Sequence, residues 1–179
     1  DPEIDDLTDP RAFLTDANNW TSAAVVGKMM QRAAHLLKDE DIAFKIGFDS
    51  VRMRGLGYVQ KILVRALGSP KKALKRAQAI NEKFYRTKVV ELFHIGSTQA
   101  IIRLHWFPGL DLTKDICRFN QGIYAAMPTV WRLPPAEVME TQCFFQGDSC
   151  CEYHLKWSRF SRFRSIRELF PSKRLIISN

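Results

Sequence analysis

At 179 residues, with 46% hydrophobic and 26% charged residues, the chain fits one globular domain with a sizeable core. No apolar run approaches the roughly 20 residues that cross a bilayer, and four cysteines in a chain of this length exclude a disulfide-dense secreted scaffold. The net charge of +8 permits an anionic partner, but it concentrates in 71-KKALKR-76 and 156-KWSRFSRFRSIRELFPSKR-174, which read as solvated surface or linker.

In chain order, 1-DPEIDDLTDPRAFLTDANN-19 is acidic, carries two prolines and reads as a loop or arm. Thr21 offers a helix N-cap, and Val25, Val26, Met29, Met30, Ala33 and Leu37 then recur at helical spacing. A second helix is predicted over 41-DIAFKIGFDSVRMR-54 and, after Gly55 and Gly57, a third over 58-YVQKILVRAL-67. Ser69-Pro70 has the form of a cap followed by a first-turn proline, opening a fourth helix over 70–84. The pattern then changes. Residues 87-TKVVELFHI-95 and 99-QAIIRLHWF-107 are β-branched and aromatic, with the turn 96-GST-98 between them. Ile102, Leu104 and Trp106 share one strand face, and Arg103 and His105 the other.

A helix follows in 111-DLTKDICRFNQGIYAAM-127, with Ile116, Phe119, Ile123 and Met127 on one face. After Pro134-Pro135, 137-EVMETQCFF-145 and 151-CEYHLKW-157 read as a second hairpin around 146-QGDS-149. The predicted class is α+β: N-terminal helices on a small antiparallel sheet of about four strands, with a helix between two hairpins. Residues 1–19 are expected to be an arm, 20–158 the domain, and 159–179 a basic linker or signalling helix.

Three of the four cysteines, Cys143, Cys150 and Cys151, crowd one turn, and Cys117 lies on the preceding helix. Spacing alone leaves three readings. The thiols are buried as small hydrophobes, or Cys143 pairs with Cys150 or Cys151, or the thiolates hold zinc. A reducing, cytoplasmic compartment, which the cysteine usage suggests, argues against the disulfide. In the last strand Cys151, Tyr153, Leu155 and Trp157 alternate onto one face. A zinc needs a fourth ligand, for which Glu140, His154 and Cys150 stand nearby.

The segment 135-PAEVMETQCFFQGDSCCEYHLKW-157 resembles the C-terminal signature of the 4-vinyl reductase domain family: a Glu, a Cys three residues on, a Gly-Asp turn, and a Cys eight residues after the first on a strand ending in Trp. That family includes the sensory domains of phenol-responsive bacterial transcriptional activators, and its fold is shared with heme-based nitric-oxide sensors and a vesicle-trafficking subunit family. The resemblance implies a structural zinc on Cys117, Glu140, Cys143 and Cys151, at separations of 23, 3 and 8. Residues three apart on a regular strand face opposite ways, so Glu140 and Cys143 can share a metal only across a bulge or bend.

The resemblance further implies a non-catalytic, dimeric, cytoplasmic sensory domain that binds a small hydrophobic or aromatic molecule and regulates an attached output domain. Most aromatics belong to the core. Phe93, His105, Trp106 and Tyr124 are the candidate ligand-binding residues, with His105 and Trp106 as polar handles that alternate along one strand. The heme sensors that share the fold carry a Tyr-x-Ser-x-Arg anchor after their axial His. Here 48-FDSVR-52 replaces the Tyr with Phe48 and precedes His94 and His105. No Gly-rich phosphate loop, H-E-x-x-H or Ser-His-Asp order marks an enzyme. The competing expectation is a ligand-free scaffold or interaction domain whose basic tail contacts a partner or nucleic acid. No membrane partner is expected.

Overall fold

A computed structural model describes residues 8–16, 19–52, 64–84 and 86–159. The element order is α1 (Pro10–Thr15), α2 (Ala23–Leu37), α3 (Ile42–Arg52), α4 (Pro70–Leu74), α5 (Ala77–Phe84), β1 (Lys88–Ile95), β2 (Gln99–Trp106), α6 (Asp115–Ala126), β3 (Glu137–Gln142) and β4 (Cys151–Lys156). Short 3₁₀ turns occupy Met127–Trp131 and Phe144–Gln146. The four strands form one antiparallel sheet in the order β1-β2-β4-β3, so the two hairpins join through β2 and β4. The α+β architecture is therefore as expected from the sequence.

Local chemistry sets the element ends. Asp9 caps α1, its carboxylate accepting from Ala12 N at 2.9 Å, with Pro10 in the first turn. The expected N-terminal arm thus contains a helix whose Asp-Pro start signal was in plain view. Ser22, not Thr21, caps α2 by accepting from Val25 N. Ser69 caps α4 as expected, but the predicted 70–84 helix breaks at Lys75-Arg76 into α4 and α5. The break lets Leu74 enter the core while Asn81 donates to the Lys88 carbonyl at 2.9 Å. Of the helix expected over 58–67, residues 58–63 lie outside the described residues, as does all but the first residue of the basic tail.

One face of the sheet carries the core. Ile102, Leu104, Trp106, Cys151, Tyr153, Leu155 and Trp157 are all buried there with Cys117 and Tyr124 of α6. A fully buried side chain such as Ile102 or Leu104 contributes about 1.5–3 kcal/mol. The buried face of α6 is Cys117, Asn120, Gln121, Tyr124 and Ala125, while Ile116, Phe119, Ile123 and Met127 are only half-buried. Of that expected face, Ile116 and Met127 pack against the main core and Ile123 against a second cluster, while two amides, Asn120 and Gln121, are buried beside them. α6 also meets α3 backbone to backbone. A Cβ on Gly122 would lie 2.1 Å from Phe44 O, and one on Gly47 would lie 2.0 Å from Phe119 O.

Candidate metal centre

Four donors converge where α6, β3 and β4 meet. One ligand atom each from Cys117, Glu140, Cys143 and Cys151 lies within 4.8 Å of all the others. The three thiols are fully buried or nearly so. Cys117 occupies the first turn of α6, which places its thiol at the end of the helix nearest the hairpin. Cys151 opens β4, opposite Leu104 of β2, and inward alternation buries it.

Glu140 and Cys143 reach the same point because the hairpin is irregular. The β3–β4 register slips by one between Glu140 and Gln142, with Thr141 as the extra residue. The chain then leaves the sheet at Cys143 and turns through Phe144–Gln146, so the expected strand to Phe145 ends at Gln142. This is the bend that the three-residue separation demanded. The Gly-Asp turn holds it: Gly147 has φ +102, and the Asp148 carboxylate accepts from Cys143 N at 2.7 Å.

The hydrogen bonding around Cys151 suits a thiolate. Cys151 Sγ accepts from Trp106 Nε1 at 3.3 Å and from Phe144 N at 3.4 Å, and lies 3.0 Å from Cys117 Sγ. With Cys117 as donor, these contacts hold the Cys151 thiol down at about 6. The same hydrogen bond, together with burial, pushes Cys117 well up. Burial and the neighbouring Glu140 push Cys143 up. Glu140 Oε1 is buried with no hydrogen-bond partner among the described residues. Thiols this close and this buried do not readily ionise together, and a buried orphan carboxylate oxygen is costly. A soft divalent cation resolves both problems, so the donor set fits one.

The alternative fourth ligands point elsewhere. The Cys150 thiol is buried but donates to Gln142 Oε1 at 3.3 Å. His154 Nε2 lies 2.9 Å from Glu152 Oε1 on the other sheet face. Arg103, then His154 and Thr141, hold the Glu152 carboxyl down at about 2. Lys88 was absent from the sequence reading. It is 5% exposed, and its ammonium lies 5.0 Å from the centroid of the Trp106 ring. Burial pulls it down to about 8, opposed by the negative charge of Cys117 and Cys151. Its position beside Trp106 follows from the β1–β2 register, which no local motif announces.

The four candidate ligand-binding residues do not form one pocket. Trp106 and Tyr124 are buried on the helix side of the sheet, and the Trp106 N–H is taken by Cys151. Phe93 and His105 are on the opposite face. A β1 bulge after Leu92 leaves Phe93 53% exposed under the Arg103 guanidinium, and His105 Nε2 lies 2.9 Å from Glu91 Oε2. Period-two alternation separates the pairs. A cavity of about 370 Å³ opens on that second face, lined among others by His94, Ile101, Met139 and His154. All four histidines of the chain are described, and none is buried.

No protein-family model matches the chain, and no curated protein matches it. Solved structures do. The phenol-responsive sensory domain of the transcription activator PoxR, with phenol, is 14% identical over 84% of this chain and 82% of its own, with a TM-score of 0.56. An H-NOX protein from S. oneidensis in the Fe(II)NO ligation state is 12% identical over 80% and 79%, with a TM-score of 0.63. A trafficking protein particle complex subunit 3 from Naegleria fowleri, covalently bound to palmitic acid, is 13% identical over 78% and 97%, with a TM-score of 0.53. At these identities the likeness establishes the fold: this chain shares it with a phenol-responsive sensory domain, with H-NOX domains and with a trafficking subunit.

Proposed function

We propose that the chain is a 4-vinyl reductase-like sensory domain of a bacterial signalling protein, cytoplasmic, dimeric and non-catalytic. It binds a small hydrophobic or aromatic molecule and regulates an attached output domain. The observation that carries this reading is the cluster of Cys117, Glu140, Cys143 and Cys151 within 4.8 Å, in a fold shared with the phenol-responsive domain of PoxR. Zinc is the metal that three thiolates and a carboxylate suit best. Held by four protein donors it keeps no position for a catalytic water, and so supplies a cross-link. In this chain the cross-link ties the first turn of α6 to the β3–β4 hairpin.

The test is calorimetric titration of the purified domain with a panel of substituted phenols and other small aromatics. Saturable binding with one site per chain, accompanied by a raised melting temperature, is the expected result. A flat response across the panel would remove the sensory part of the reading.

A second reading, an interaction domain without a small ligand, is favoured by one observation. Trp106, Tyr124, Tyr153 and Leu155 pack the helix side of the sheet, and the 370 Å³ cavity opens on the other side. In that case the basic tail contacts a partner or nucleic acid, and a salt-dependent affinity for a DNA duplex falls when Arg159, Arg162 and Arg164 are neutralised.

A further inference from the structure

Lysine is almost never buried without compensation. Lys88 is the one buried cation among the described residues. Its place is fixed from three sides. It opens β1, the antiparallel register sets it opposite Trp106, and Asn81 of α5 holds its carbonyl. Its ammonium lies over the Trp106 indole, 5.0 Å from the centroid, and the N–H of that indole donates to Cys151 Sγ at 3.3 Å. Lys88 and the centre are therefore linked through one aromatic ring, the cation on its face and the thiolate on its edge. That arrangement suits the ring's charge distribution at both ends.

The charge balance of the centre gives this position a use. Three thiolates and one carboxylate carry −4, and a divalent cation leaves −2 in a buried site. Arg103, the one arginine of the β2–β4 pair, faces the other side of the sheet and is engaged by Glu152.

We infer that Lys88, acting across the Trp106 ring, is the internal counter-ion of the metal centre, and that it sets how tightly the centre holds its metal. The inference rests on the zinc reading above and deepens it. Lys88 is a positioning residue, not a ligand. It halves the residual charge of the loaded site to −1, as an outer partner of the ligands does.

The test is competition for Zn²⁺ between the protein and a chromophoric chelator, run on the parent chain, Lys88→Met, Lys88→Gln and Lys88→Arg. All should reach about one zinc per chain at saturation. The two neutral variants should bind about 10- to 100-fold more weakly, the range seen when outer partners of a metal ligand are removed. Lys88→Arg, which keeps the charge, should stay within about threefold of the parent. With zinc chelated away, Lys88→Met should melt at or above the metal-free parent, because it no longer buries an ammonium. Parental affinity in the neutral variants would overturn the inference, as would an equal loss in Lys88→Arg, since packing and not charge would then be at work. A parent chain that binds no zinc would overturn the zinc reading and this inference together. Zinc binding that ignores Lys88 would overturn this inference alone.

Discussion

Cys150 and Cys151 are sequence neighbours, both buried, yet they meet different chemistry. Cys151 points at Cys117 and receives two N–H donors, while Cys150 points at the Gln142 amide. Cys151→Ser should therefore lose its zinc and melt lower, whereas Cys150→Ser should keep about one zinc per chain, both read by elemental analysis and thermal melting. Asp148 acts one step back from the donors. Its carboxylate secures the Cys143 N–H, so Asp148→Ala should cost about 1.5 kcal/mol in denaturant unfolding, the scale of a hydrogen bond to a charged group. At this scale the sequence was informative where chemistry is local. The Glu-Cys-Cys spacing, the Gly-Asp turn and the inward alternation of Cys151, Tyr153 and Leu155 all reappear in the structure. Lys88 and the role of Trp106 were not legible, because they depend on which residue stands opposite which across two strand pairs.

Among the elements, the α3–α6 crossing is the tightest feature. Each helix contributes a glycine whose missing Cβ lets the other's backbone approach. Gly122→Ala should destabilise the fold by about 1–3 kcal/mol, measured by urea unfolding, because a methyl group there meets the Phe44 carbonyl and the Phe48 amide and not a flexible side chain. The apolar stripe read from the sequence does pack, with Ile116 and Met127 against the main core and Ile123 against a second cluster, but the crossing itself was not legible. Hydrophobic periodicity finds apolar stripes, and here two glycines make the contact. The hairpin shows the converse. A strand through Phe145 satisfied propensity, but only a slip at Thr141 and an exit at Cys143 could bring Glu140 and Cys143 together. A requirement of ligand geometry predicted the irregularity that propensity could not.

For the whole molecule, the centre lies where the last hairpin meets the helix layer, so its effect on stability extends beyond the four donors. Free zinc at about 1,000 times its dissociation constant stabilises a folded state by about 4 kcal/mol. Chelation should accordingly lower the melting temperature by many degrees and loosen the β3–β4 hairpin first, as read by amide hydrogen exchange. The fold class was legible from the order of helical and strand patterns, but a fold shared by a phenol-responsive domain, H-NOX domains and a trafficking subunit does not choose among their roles. The argument for a sensor therefore rests on the centre. Its central claim is tested most directly by the zinc content of the purified, untagged chain beside Cys117→Ser and Cys143→Ser. The account predicts about one zinc per chain, lost in both variants together with a fall in melting temperature. An intact, folded parent with no zinc and four freely titrating thiols would contradict it.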